Sequence, residues 1–346
     1  MRVALDTQLA IGTATGVGVY ERDLARALVA GGVDVRTLHA GWLDPWRFDR
    51  RVLWDQVLLP LLAARSGADV LHAASGTLPA VTPLPTVVTV HDVAFLRVQQ
   101  HVRPYARAYF GTLMRALYRR ATAILTDSAF SRDELFATAG PRDGVHVVYP
   151  GVDERFAQIV RAPRERPFAL AVGTIERRKN LLRAIETVAA IPGLDLVAVG
   201  PPTPYVDDVR RAIADHGLTE RVELRGYVAR PELDALYAGA ALAMVPSRYE
   251  GFGYALAEAL CAGLPVIAAR SSSLIEVAAG AVTLVDPDDA DGWIDATRSL
   301  LGARDAAERA AAERRAAFGE RFAWSTAAAQ CATVYRAVAD SGATPA

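Results

Sequence analysis

The sequence predicts an α/β protein built from two doubly wound, Rossmann-like domains. Three observations carry this. Short apolar, β-branched runs alternate with helical patterns from Val3 to about Val285, which is how parallel sheets with helices on both faces are written. The alternation stops and restarts once, across an arginine-rich polar stretch holding Pro163 and Pro167, a composition typical of a domain boundary. A chain of 346 residues also exceeds one typical core and suits two domains of about 150–200 residues. The boundary is placed between residues 162 and 163. The C-terminal strand edges of the two domains are expected to face each other across a cleft.

Composition bounds the function. The net charge of -1 gives no argument for nucleic acid as a partner. Cys261 and Cys331 are the only cysteines; so far apart, they read as reduced thiols of a cytosolic protein. The first residues already look like a strand, so no signal peptide is expected. The longest apolar stretch, near Val57–Ala64, is far short of the roughly 20 residues that span a bilayer. The expectation is a cytoplasmic protein, able to lie peripherally on the inner face of a membrane. Lys179 is the only lysine. A GC-rich genome explains the missing lysines but not the survivor, which points to a place that needs a compact ammonium rather than a planar fork.

In the first half, strands are expected at Val3–Leu5, Val33–Leu38, Val70–His72, Thr86–Val90, Thr122–Asp127 and Val145–Tyr149. A loop with Gly12, Gly16 and Gly18 leads to a helix from about Tyr20 to Ala30. Its glycines come late, and Glu21 stands where a dinucleotide fingerprint has its third glycine, which disfavours a nicotinamide enzyme. The loop reads either as a flexible connection or as backbone approaching a ligand. Trp42, Trp46, Phe48 and Trp54 suggest an irregular aromatic cover. His91 ends its strand, either as a satisfied histidine or as a crevice residue. From Arg103 to Arg120 aromatic and apolar residues recur at helical spacing with arginines on another face; this is a core-facing helix or a membrane-surface one. Ser131 to Glu134 reads as a capping box.

In the second half, the strand Phe168–Val172 runs into a turn, Gly173-Thr174-Ile175-Glu176-Arg177-Arg178-Lys179-Asn180, and a helix from Leu181. The sole lysine thus lies at a strand-to-helix turn. Further strands are expected at Leu194–Val199, Val222–Leu224, up to Val245, Val266–Ala269 and Val282–Val285. After Val245 comes a polar loop to Gly253, then a helix from Tyr254 closed by Gly263 and Pro265. Glu250 precedes that helix and Glu258 lies within it. Lys179, Arg178 and the helix start at Gly251, Phe252, Gly253 and Tyr254 suit a diphosphate. The two glutamates suit sugar hydroxyls, at about 1.5–3 kcal/mol for each charged acceptor. Diphosphate plus polyol describes a nucleotide sugar. Asp286-Pro287-Asp288 reads as a turn rather than a metal motif.

Residues 246–269, with Glu250 and Glu258 eight apart, resemble the E-x7-E segment of family 4 retaining glycosyltransferases of the GT-B fold. Gly173–Asn180 is similar to that family's phosphate turn, and so are Gly16–Tyr20, Thr89–Asp92, Ser128–Ser131, Tyr149–Asp153 and Ser273–Val277 to other family motifs, in the right order. The resemblance implies that Glu250 contacts the donor sugar and Glu258 the ribose. It implies that Lys179 with a neighbouring arginine holds the diphosphate, that His91 lines the sugar site, and that the Gly16–Gly18 loop covers the donor phosphates or borders the acceptor. Many members carry arginine where this chain has Thr174; Arg178 would supply that charge, as in a mannosyltransferase-like branch. The last helix, residues 325–346, would cross back onto the first domain, leaving 163–324 as the nucleotide-sugar domain. The implied reaction moves a hexose, mannose from GDP-mannose as the donor named, to a hydroxyl of a glycan or lipid-linked acceptor, with retention and without cofactor or metal. Two other classes stay open: a non-catalytic nucleotide-sugar-binding subunit, and a nucleotide-sugar epimerase of the same architecture.

Overall fold

The computed structural model describes residues 1–11, 16–44, 46–93 and 104–341. Gly12 and Arg103, both named above, lie outside them. The chain forms two compact units, one of Met1–Gly151 with Ala323–Ala346, the other of Val152–Phe322. Residues 152–162 belong with the second unit. Ala162 and Arg164 donate backbone hydrogen bonds to Ala238 and Gly239, which ties this stretch down ahead of the first strand of that unit.

The first unit carries β1 (Arg2–Asp6), β2 (Asp34–Leu38), β3 (Val70–Ala73), β4 (Thr86–Val90), β5 (Ala123–Thr126) and β6 (Val145–Val147). They form one sheet in the order β2-β1-β3-β4-β5-β6, parallel throughout. The order reverses between β1 and β3. The second unit carries β7 (Phe168–Val172), β8 (Asp195–Val199), β9 (Val222–Leu224), β10 (Leu242–Val245), β11 (Val266–Ala269) and β12 (Thr283–Val285). Their order is β12-β11-β10-β7-β8-β9, again parallel, and the reversal lies between β7 and β10. Ligands of open α/β sheets bind outside the carboxyl ends of the strands at such reversals. Both sheets are flanked by helices, and each is doubly wound.

The strands are where β-branched and aliphatic runs placed them. Several helices are not. Helix α1 spans Gly16–Ala30, so Gly16 and Gly18 sit in its first turn rather than in a loop. The aromatic cover is helical: Phe48–Leu53, a wide turn at Trp54–Leu58, then Leu59–Arg65. The wide turn lies just ahead of Pro60, whose missing N–H breaks the regular ladder. Helix α2 spans Ala129–Ala139, and its cap is Ser128, whose side chain accepts from the Ser131 N–H at 2.9 Å; the capping box at Ser131 starts three residues too late. Within the arginine-rich segment, Tyr109, Met114, Leu117 and Tyr118 are buried in the core of the first unit, the core-facing alternative.

The last helix, α3 (Trp324–Asp340), packs on the first unit. Trp324, Ala328, Cys331, Tyr335 and Val338 join Val3, Leu5, Leu24 and Leu28 in one apolar cluster, each large side chain contributing about 1.5–3 kcal/mol on full burial. The Tyr335 hydroxyl lies 2.7 Å from His72 Nδ1, so the buried phenol is satisfied where it docks.

Candidate active site

In the second unit, β7 ends at Val172 and the chain turns at Gly173. That glycine has φ +139°, and a Cβ there would stand 3.3 Å from Lys179 Cε and 3.4 Å from its Nζ. The lysine stem runs close beside the position a side chain would take there. Arg177–Lys179 form a single tight turn, and Asn180 follows with φ 53°. Lys179 thereby points across the β7–β10 reversal. Its Nζ lies 2.6 Å from Glu250 Oε1, and Arg178 Nη1 lies 2.9 Å from Glu250 Oε2. Arg178 also pairs with Glu176 at 2.9 Å. Lys179 and Arg178 from one stretch of sequence and Glu250 from another thus meet at one place. Thr174 lines a gap of about 20 Å³ together with Gly173, Lys179 and Ser247.

Glu250 is buried, with its side chain 6% exposed. Burial would raise its pKa, but Lys179 and then Arg178 outweigh this and hold it below the usual carboxylate value. Its loop is braced by a run of serines. Ser272 accepts from the Glu250 N–H at 2.9 Å, Ser273 donates to the carbonyls of Glu250 and Phe252 at 2.9 Å each, and Ser271 donates to Ser247 O at 2.6 Å. Gly253 has φ +96°, and a Cβ there would lie 2.6 Å from Leu274 Cδ2, so only glycine fits before the helix Tyr254–Cys261. The Phe252 side chain is buried against Tyr254 and Phe322, which leaves its backbone, with that of Gly251, as what it can offer a ligand.

Glu258, on the same helix, has a different partner. The buried Tyr237 donates its phenol to Glu258 Oε2 at 2.9 Å. Burial pushes the Glu258 carboxyl up to about 7, with the Tyr237 bond opposing. Tyr237 lies outside every motif used above; a tyrosine in a short helix gives no sign of its partner.

In the first unit, His91 and Asp127 follow β4 and β5, whose last residues Val90 and Thr126 are register partners. His91 Nδ1 lies 2.7 Å from Asp127 Oδ2, and Nε2 lies 2.8 Å from the Ala74 carbonyl. Gly18 is buried in α1 while Gly16 is exposed, and a Cβ at Gly16 would meet nothing within 4 Å. Gly16 is therefore not demanded by packing. At the β1–β3 reversal sits a buried network that sequence reading missed. Arg51 Nε donates to Asp55 Oδ2 at 2.9 Å, and its Nη2 to the hydroxyls of Ser75 and Thr77. Ser75 in turn donates to Asp6 at 2.9 Å, and Trp54 Nε1 to Asp6 at 3.1 Å. Glu21 accepts from the Ala10 N–H at 2.9 Å, and burial pushes its carboxyl up to about 9.

Asp286, Pro287 and Asp288 form a turn: the Asp288 N–H donates to Asp286 Oδ1 at 2.8 Å, and Asp288 pairs with Arg248. Among the described residues no helix is long and apolar enough to cross a membrane.

Two doubly wound sheets of this kind, one carrying a cation pair on a glycine turn beside a helix start, are those of an enzyme of the GT-B class. Comparison with known proteins makes this specific. Residues 152–317 match the model for glycosyl transferases group 1, and residues 14–156 match that for glycosyltransferase family 4. The chain belongs to the family 4 glycosyltransferases. It is 29% identical over 325 residues to the MMP alpha-(1->4)-mannosyltransferase of Mycolicibacterium hassiacum, covering 86% of this chain and 76% of that one. It is 31% identical over 232 residues to the GDP-mannose-dependent alpha-(1-6)-phosphatidylinositol monomannoside mannosyltransferase of Mycobacterium tuberculosis, covering 60% of each. The sucrose-phosphate synthase structure from Thermosynechococcus elongatus superposes with a TM-score of 0.80 over 99% of this chain and 100% of that one, at 20% identity, which shows the shared fold.

Proposed function

We propose that the protein transfers mannose from GDP-mannose to a hydroxyl of a glycan or lipid-linked acceptor, with retention at the anomeric carbon and no metal. The observation that carries this is the meeting of Lys179, Arg178 and Glu250 at the β7–β10 reversal. The donor is chosen on the mannosyltransferase relatives.

In this reading the bond between the anomeric carbon and the diphosphate breaks, and negative charge builds on the leaving oxygens. Lys179 and Arg178 stabilise that charge, aided by the helix start at Tyr254, a preorganised arrangement of the kind that gives most of a transferase's acceleration. Arg178 takes the place of the arginine that Thr174 lacks. Glu250 orders the two cations; its oxygens retain lone pairs for sugar hydroxyls, since a carboxylate accepts about four hydrogen bonds. Glu258 accepts from the ribose. His91 and the backbone at Gly16 and Gly18 contribute to substrate binding. The arginine-rich helix ending near Arg120 would rest on an anionic membrane when the acceptor is lipid-linked, which co-sedimentation with anionic vesicles tests.

The deciding experiment is a panel of nucleotide sugars read by thermal shift and by release of free nucleoside diphosphate. GDP-mannose should raise the melting temperature most and be hydrolysed slowly without acceptor. A larger shift with a uridine donor overturns the donor assignment; an isomerised nucleotide sugar overturns the transfer chemistry.

A further inference from the structure

Two neighbouring histidines of the first unit, His72 buried in β3 and His91 half-buried just after β4, keep very different company. His72 Nδ1 lies 2.7 Å from the Tyr335 hydroxyl, and its Nε2 lies 2.7 Å from Thr89 Oγ1. Hydroxyls donate or accept as required, so a neutral imidazole satisfies both. Burial accordingly pushes His72 down to about 3. His91 faces only acceptors: the Asp127 carboxylate at Nδ1 and the Ala74 carbonyl at Nε2. A carbonyl has no proton to give, and neither has an ionised carboxylate. Both contacts are hydrogen bonds only if both ring nitrogens carry hydrogen.

We propose that Asp127 is a positioning residue that holds His91 as an imidazolium, so that His91 meets substrate as a fixed cation and never as a general base. The part concerning substrate rests on the transferase reading above; the protonation state does not.

Among the described residues the surroundings of His91 agree with this. The parallel register places Asp127 beside His91 as the next pair after Val90 and Thr126. From β3 the facing groups are the Ala74 carbonyl and His72, which stays neutral. From α1, the Tyr20 ring packs edge-on with centroids 4.7 Å apart. Asp92, next in the chain, adds negative potential. Burial works against charge on His91, but Asp127, its hydrogen bond and the Ala74 carbonyl outweigh it and lift the group above the ordinary histidine value. The His91 carbonyl is itself fixed by Ser131 Oγ at 3.0 Å. With both nitrogens committed, the ring has no lone pair for a substrate proton.

The test is a pH titration of the full chain, uniformly labelled with 15N, following the ring nitrogens of His91. Both should show protonated shifts through neutral pH, with a midpoint above that of ordinary histidine. Asp127→Asn should lower the midpoint by about 1–3 pH units, the usual effect of one opposite charge at close range. A neutral His91 at pH 6, or a midpoint unmoved in Asp127→Asn, overturns the proposal. If that variant does not fold, the wild-type midpoint decides alone. Transferase activity reads the second part: kcat should fall as pH rises through the His91 midpoint, and Asp127→Asn should bring that fall to lower pH with less change in KM. A confirmed imidazolium whose titration leaves activity untouched refutes the substrate role while sustaining the assignment of Asp127.

Discussion

The two sheet reversals carry similar numbers of charged side chains and use them in opposite ways. At β1–β3, Asp6, Asp55 and Glu21 are fully buried and Arg51 nearly so, and their contacts are to one another, to hydroxyls, to the Trp54 indole and to backbone. At β7–β10, Arg178 keeps a side chain 36% exposed and Lys179 one 20% exposed, around a turn braced from behind by serines. Charges closed in on themselves cost desolvation and matter mainly through what is left when one is removed. Charges held half-open on a rigid turn can exchange one counter-ion for another, which is what a diphosphate asks of them. The first cluster should therefore fail as stability and the second as turnover.

The largest expected effect tests the closed cluster. Arg51→Met leaves Asp55 and Asp6 without their shared cation and should cost about 3–5 kcal/mol of stability, read by urea unfolding. The folded fraction should still bind donor. A near-neutral stability change would mean that the cluster is not structural. Next comes the open cluster. Lys179→Ala should lower turnover roughly 10²- to 10³-fold with little change in melting temperature, since Arg178 still partners Glu250. Lys179→Arg should not restore it. The Lys179 ammonium sits 2.6 Å from Glu250 Oε1 as a compact point charge, and the longer side chain of arginine carries a planar fork past that position. Wild-type turnover in the arginine variant would remove the argument from the sole lysine.

How much of this was legible in sequence follows from distance along the chain. The strands were legible because their apolar runs are local. The Lys179 and Glu250 meeting was legible because each lies at the end of a strand, and parallel strands bring their ends together. The Asp6, Arg51 and Ser75 network was not. Its members lie in separate elements, and Arg51 sits in a helix that Trp42, Trp46, Phe48 and Trp54 made look like an irregular cover. Gly16 and Gly18 suggested a loop because glycine is a poor helix former, yet tertiary packing of Tyr20, Leu24 and Leu28 carries α1 back to Gly16. Asp127 and Tyr237 were missed for one reason: each acts by fixing the protonation or position of another side chain, and no spacing rule records that.

The smallest effect separates the two glutamates that bracket the glycine turn. Glu250 is held charged by its cations, whereas the Glu258 carboxyl lies at about 7 rather than at 4.5. The folded chain therefore holds the Glu258 proton more tightly than the unfolded chain does. Stability from this group is full below about 4.5 and is lost as pH rises toward about 7. Donor binding runs the other way if the carboxylate accepts from a ribose hydroxyl: affinity should rise through the same window. Glu258→Gln should remove both slopes and weaken donor binding at pH 8 about ten- to a hundredfold, the loss of one charged acceptor. A purely structural Glu258 would instead lower the melting temperature and leave donor affinity intact. Tyr237→Phe refines the point. The phenol donates to the carboxylate and so favours the charged form; without it the Glu258 proton is held more tightly still. The midpoint of donor affinity should move to higher pH, with about 1 kcal/mol of stability lost. A midpoint that stays in place would show that the Tyr237 bond does not set the charge of Glu258, and the contrast with Glu250 would then rest on burial alone.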